Sequence, residues 1–157
     1  MTRLLRTTAL FIAMLLVCGH AHASTCTLLT VVTGAVSFGF YSGTDIHSNG
    51  SVTVACTILT GTTMPSFTVA LSAGNSNNFA QRQMGEVLGT ENLNYNIYAD
   101  AGFATIWGNG MAPSIIQSYN ASAGLGTITY TAYGDLPANQ YVGAGVYGDA
   151  ITVTVTY

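Results

Sequence analysis

The sequence predicts an all-β fold, a two-sheet sandwich of about seven or eight short strands. Two observations carry this. Glycine (18 residues), threonine, serine and asparagine punctuate short apolar or alternating runs, and no stretch has helical periodicity. The last seven residues, Ile151 to Tyr157, alternate apolar and polar without a break. That period places Ile151, Val153, Val155 and Tyr157 on one face of a half-buried strand rich in β-branched residues. Nothing in the sequence follows Tyr157 to form a neighbour, so an open edge with uncovered core is expected there.

The elements are expected in this order. A first strand covers about Cys26 to Val32, and a second runs from Ala35 to Tyr41 with Phe38 and Phe40 on one face. Ser42-Gly43 and Asn49-Gly50 mark the loop after it. Val52 to Leu59 is a strand with Val52, Val54 and Cys56 on one side, and Phe67, Val69 and Leu71 alternate in the next. Asn75 to Gly89 reads as a polar connection. Leu93 to Tyr98, Phe103 to Trp107 and Thr127 to Tyr133 read as strands, and Ser114 to Tyr119 as a short strand or loop. Gly134 to Gly145 connects to a single final strand, Val146 to Tyr157.

The N-terminus has the layout of a cleaved signal peptide, residues 1–23. Arg3 and Arg6 precede the apolar stretch Ala9 to Val17, and Ala21-His22-Ala23 forms the cleavage site. The stretch is too short for a membrane span. Cys18 invites a lipoprotein reading, but Leu16-Val17 lacks the small residues expected before a lipidated cysteine. Residues 24–157 then form one domain.

Export leaves Arg82 as the only cationic side chain against six carboxylates. Such a chain cannot neutralise phosphates, which excludes nucleic acid, and it has no attraction for anionic lipid. Its surface must be uncharged and polar, which favours a subunit of an assembly. Cys26 and Cys56 remain, and in an oxidising compartment they are expected to pair. That disulfide closes a loop of about 30 residues and contributes about 3–4 kcal/mol in the chain-entropy view.

No cofactor, metal or catalytic residue is expected. His47 sits in a Gly/Ser/Asn stretch with Asp45 nearby, but no G-x-S-x-G elbow accompanies it, and a solvated loop histidine is the simpler reading. Asp45 and Asn49 lack the acidic density of a calcium loop. Asp100, Asp135 and Asp149 read as turn residues or strand caps. Arg82 is expected to pair with Glu86, Asp100 or another carboxylate. Most aromatics are core, with Tyr119, Tyr133 and Tyr141 as candidates for an adhesive, carbohydrate-type surface.

An ordered set of patterns gives the reading its family. It runs Phe38-Gly39 with Tyr41, Val52 to Cys56, Gln81 to Met84, Leu93 to Asp100, Trp107 to Gly110, Tyr133-Gly134, and Ala144 to Tyr157. This set resembles the spore coat protein U family of secreted bacterial proteins, whose members look like pilins of archaic chaperone–usher pili. The resemblance implies an incomplete immunoglobulin-like β-sandwich lacking its final strand. It implies three partners: a periplasmic chaperone that lends a strand, an outer-membrane usher, and a neighbouring pilus subunit that replaces the chaperone. Only Ser24 and Thr25 precede Cys26, so no donor arm is visible, and a tip or minor subunit is expected.

The acceptor groove is expected between Val31 and Val36 on one side and Ile151, Val153 and Val155 on the other. The carboxylate of Tyr157 is the expected grip for the chaperone. The rival readings are a self-sufficient spore or outer-coat protein, and a soluble secreted carbohydrate-binding domain or small hydrolase.

Overall fold

Two antiparallel sheets pack face to face in a computed structural model that describes residues 28–57, 64–120 and 126–157. The strands are β1 (Leu28–Gly34), β2 (Ile46–Thr57), β3 (Phe67–Leu71), β4 (Arg82–Glu86), β5 (Asn92–Tyr98), β6 (Gln117–Tyr119), β7 (Thr127–Leu136), β8 (Tyr147–Gly148) and β9 (Val153–Thr156). One sheet has the order β1-β2-β7-β5-β4-β8 and the other β6-β3-β9. The fold is an all-β sandwich of incomplete immunoglobulin-like type. Among the described residues no helix is long and apolar enough to cross a membrane. The expected signal peptide lies outside the described residues.

Period-two alternation builds the core. Val52, Val54 and Cys56 on β2, Phe67, Val69 and Leu71 on β3, and Leu93, Tyr95 and Ile97 on β5 are all buried, and Ala132 and Leu136 of β7 join them. Trp107 is fully buried. Its indole N–H donates to the Val69 carbonyl at 2.9 Å, and its ring meets Tyr130 edge-on. Cys56 is disulfide-bonded, and Cys26, its expected partner, lies outside the described residues.

Several expected elements differ, each for a physical reason. Residues Ala35 to Tyr41 form no strand. They cross the inner faces of β2 and β7, and Gly50 and Gly134 make this possible: a Cβ at Gly50 would meet the Gly34 carbonyl at 2.5 Å, and one at Gly134 would meet Val36 at 2.3 Å. Phe38 therefore turns inward onto Tyr95, while Phe40 is 80 % exposed, so the two do not share a face. Asn49-Gly50 lies inside β2 rather than in a loop. The polar connection after Asn75 contains β4, which alternates Arg82 and Met84 toward the interior. Phe103 to Trp107 makes only isolated bridges, Tyr98 with Ile106 and Trp107 with Ile115. Gly134 and Asp135 belong to β7.

The final strand is two strands. Residues 149–152 break it, so Tyr147–Gly148 pairs with β4 and Val153–Thr156 pairs with β3. Asp149 fixes the switch between sheets. Its Oδ1 accepts the N–H groups of Asn75 and Ala150, and its Oδ2 accepts the Tyr95 hydroxyl at 2.7 Å.

Arg82 also departs from expectation. It is fully buried, and its hydrogen bonds go to neutral acceptors rather than a carboxylate. Nε and Nη2 donate to the Ser72 carbonyl, Nη2 also to the Trp107 carbonyl at 2.7 Å, and Nη1 to Asn96 Oδ1 at 2.6 Å. Phe79 lies over the guanidinium at 5.4 Å. Burial pushes the Arg82 pKa below its ordinary value, with Tyr95 and Asp149 opposing. The fork ties the end of β3, β4, β5 and the Trp107 segment together. Asp100 is satisfied locally instead, taking backbone N–H groups of Gly102 and Thr105.

Replacing Arg82 with methionine leaves these acceptors without their donors and is expected to lower stability by about 3 kcal/mol. Arg82→Lys is expected to recover part of that loss. Urea denaturation followed by the fluorescence of Trp107, the one tryptophan, measures both. An unchanged midpoint in the methionine variant would contradict the clamp.

Candidate functional site

The pairing of β1 with β2 settles which face of the first strand points inward. Residues directly opposite in an antiparallel pair share a face. Val31 stands opposite Val54, Leu29 opposite Cys56 and Thr33 opposite Val52. The β2 members are buried, so Leu29, Val31 and Thr33 also face the interior. Val54 is 0 % exposed while Val31, on the same face, is 38 % exposed. A β-branched apolar side chain thus points into the sandwich and meets solvent.

The opposite wall is β9. Ile151, Val153 and Val155 are half-buried and pack on the core, and the intervening threonines are exposed. Among the described residues β9 has a single neighbour, β3. The Ser72 N–H donates to the Thr152 carbonyl. Alternation of the ladder then directs the N–H and C=O groups of Val153 and Val155 away from β3, along the free edge.

Between these walls is a cavity of about 360 Å³, lined by Thr33, Val36 and Phe38 on one side and Ile151, Val153 and Tyr147 on the other. Its floor is Val52, Leu71, Ile97 and Ala132. A second cavity of about 430 Å³ shares Val36, Phe38, Met84 and Tyr147 with the first and continues toward Val142 and Val146. The two adjoin along these four residues and make one largely apolar trough.

Of the residues expected at the groove, Val36, Ile151 and Val153 line the cavity, and Val31 and Val155 lie on the inward faces of the bordering strands. Phe38, Met84, Tyr95 and Tyr147 were not anticipated there. Met84 was hidden in what reads as a polar connection, although its alternation with Arg82 was a usable signal. Tyr157 follows β9 and is exposed. Of the three surface tyrosines, Tyr119 stacks on Phe67 at the edge of the core, Tyr133 pairs with Asn49 and Tyr98 in the large sheet, and only Tyr141 is almost fully exposed.

The trough has one polar wall, the Tyr95–Asp149 pair. Burial pushes the Tyr95 phenol well above its ordinary pKa, and the hydrogen bond to Asp149 adds to the shift. Burial also raises Tyr98 and Tyr130. His47 is not a loop residue. It lies in β2, its ring stacks on Phe103 at 4.2 Å, and Nε2 faces Asp45 and Asp135 at 3.2 Å each. Asp135, expected as a turn residue or strand cap, lies opposite His47, one position before the end of β7. Neither cavity of the trough includes these three residues.

Comparison with known proteins agrees with this geometry. The profile of the Spore Coat Protein U domain matches residues 12–154. Protein U of Myxococcus xanthus is 29% identical over 135 residues, which cover 79% of this chain and 72% of that protein. A solved structure of similar fold is the CsuC-CsuE chaperone-tip adhesion subunit pre-assembly complex from archaic chaperone-usher Csu pili of Acinetobacter baumannii. Its TM-score is 0.53 at 24% identity over 83% of this chain, which spans 40% of that chain.

The raised phenols set an alkaline limit. Above about pH 10 the unfolded chain loses phenolic protons that the folded chain keeps, so stability is fully present below that pH and falls as pH rises through it. Tyr95→Phe is expected to cost about 1 kcal/mol at neutral pH and to flatten the alkaline decline. Denaturation midpoints from about pH 8 to 11 test this, and a midpoint that stays level would refute it.

Proposed function

The chain belongs to the Spore Coat Protein U domain family, and on that premise we propose that it is a non-enzymatic structural subunit of a secreted surface fibre of the chaperone–usher type. In this reading the trough between β1 and β9 accepts a strand from another polypeptide. The observation that carries it is Val31, which faces inward yet lies open, opposite a β9 edge with no second neighbour among the described residues. An incoming strand would bond the free edge of β9 and place alternate apolar side chains against Val31, Val36, Ile151, Val153 and Val155. If it covers about 500–800 Å² of apolar surface, the gain is about 12–20 kcal/mol before ordering costs.

The occupants follow from the same chemistry. A periplasmic chaperone supplies the first strand and grips the exposed Tyr157 beside β9. A neighbouring subunit supplies the second at an outer-membrane usher. The chain is exported, passes through the periplasm and ends at the cell surface, in adhesion or biofilm formation, as a tip or minor subunit. With Nε2 of His47 directed at two carboxylates rather than a serine, the arrangement does not support nucleophilic catalysis.

The test is self-complementation. A Gly/Ser turn after Tyr157 followed by an alternating Val/Thr strand is expected to turn an association-prone chain into a monomer and raise Tm by more than about 10 °C. Ile151→Asp with Val153→Asp is expected to abolish that gain while leaving the unextended chain's secondary structure unchanged by circular dichroism. An unextended chain that is already monodisperse, and gains nothing from the added strand, would favour the self-sufficient coat-protein reading.

A further inference from the structure

On the solvent face of the large sheet, away from the trough, β2 and β7 bring three donors together that are far apart in sequence. His47 pairs directly with Asp135, and Asp45, just before β2, meets the same His47 nitrogen. The His47 Nε2, an Asp45 oxygen and an Asp135 oxygen all lie within 4.8 Å of one another. We propose that Asp45, His47 and Asp135 bind a first-row transition-metal dication, zinc foremost.

The argument begins with the nitrogen. An imidazolium satisfying two carboxylates would offer one N–H to each. Here both carboxylates meet the same nitrogen, at 3.2 Å each. A single Nε2–H is shared between two anions, whereas a cation among the three atoms bonds all of them. The distances suit such a cation. Zinc bonds to nitrogen and carboxylate oxygen are about 2.0–2.2 Å, so neighbouring donors in a tetrahedron stand about 3.3 Å apart.

Charge points the same way. With neutral histidine the cluster is doubly negative, and the nearest compensation is weak because the chain's one exported cation, Arg82, is buried and bonded elsewhere. Phe103 stacked on the imidazole holds the ring plane, the orienting role that an outer partner plays for a ligating histidine.

Donor chemistry selects the metal. Calcium takes six to eight oxygens and magnesium keeps an octahedron of oxygens and waters. One imidazole and two carboxylates instead suit zinc or its neighbours in the series. Three protein donors leave a fourth position for water or for a donor from another molecule. Paired strands, rather than loops, hold His47 and Asp135, so the site exists before metal arrives.

The experiment titrates the exported, tag-free chain with zinc chloride by calorimetry, and with cobalt(II), whose visible absorption reports coordination. One zinc per chain, a cobalt spectrum, and no response to equal calcium or magnesium are expected. His47→Gln and Asp135→Asn should each weaken zinc binding by about 10-fold or more with unchanged circular dichroism. No zinc uptake below about 1 mM, or uptake that survives His47→Gln, would overturn the proposal and leave the cluster as an ion pair. The outcome is independent of whether the trough accepts a strand.

Discussion

An apolar face in water must be covered, and among the described residues this sandwich leaves one face open. β2 and β3 are sheltered on both sides by neighbours. Among the described residues β1 and β9, which border the trough, each have a single neighbour. The hydrophobic effect that drives the two sheets together is therefore unsatisfied along one line, from Leu29 and Val31 across to Val153 and Val155. The same line carries the free backbone edge of β9. Apolar side chains and unpaired main-chain groups coincide, which is the combination an added strand relieves.

Two polar nodes, the buried Arg82 and the half-buried Asp149, hold the trough in shape. Arg82 clamps the carbonyls of Ser72 and Trp107 and the side chain of Asn96. Asp149 receives the Tyr95 hydroxyl and the Asn75 amide, and so forces the chain to leave β4 and join β3. Without that switch, a continuous final strand would remain on the large sheet and β3 would keep only β6 as a partner. Val36 and Phe38 fill part of the interior from a segment with no strand pairing of its own. This works only because Gly50 and Gly134 leave room beneath it.

Alternation made the strands legible. Val52-Val54-Cys56, Phe67-Val69-Leu71 and Leu93-Tyr95-Ile97 each face the core as their spacing requires. The β9 wall of the trough was legible for the same reason, since Ile151 and Val153 alternate with threonine. What escaped was non-local. The crossing of residues 35–41 depends on glycines far along the chain. The split of the last strand depends on hydrogen bonds from Asp149 to residues 54 and 74 positions away. Arg82 was assigned a carboxylate because charge is what sequence displays. Its carbonyl partners are backbone groups, which no residue type announces. His47 and Asp135 became neighbours only through the register of β2 and β7.

Amide hydrogen exchange on the isolated chain reads the open edge directly. If the trough is vacant, the amides of Val153 and Val155 exchange close to the unprotected rate while those of Val54 and Val69 stay protected. Adding a strand-donating partner then slows Val153 and Val155 alone. Protection of Val153 and Val155 in the isolated monomer, equal to that of the core, would mean that the chain closes its own interior and accepts no strand.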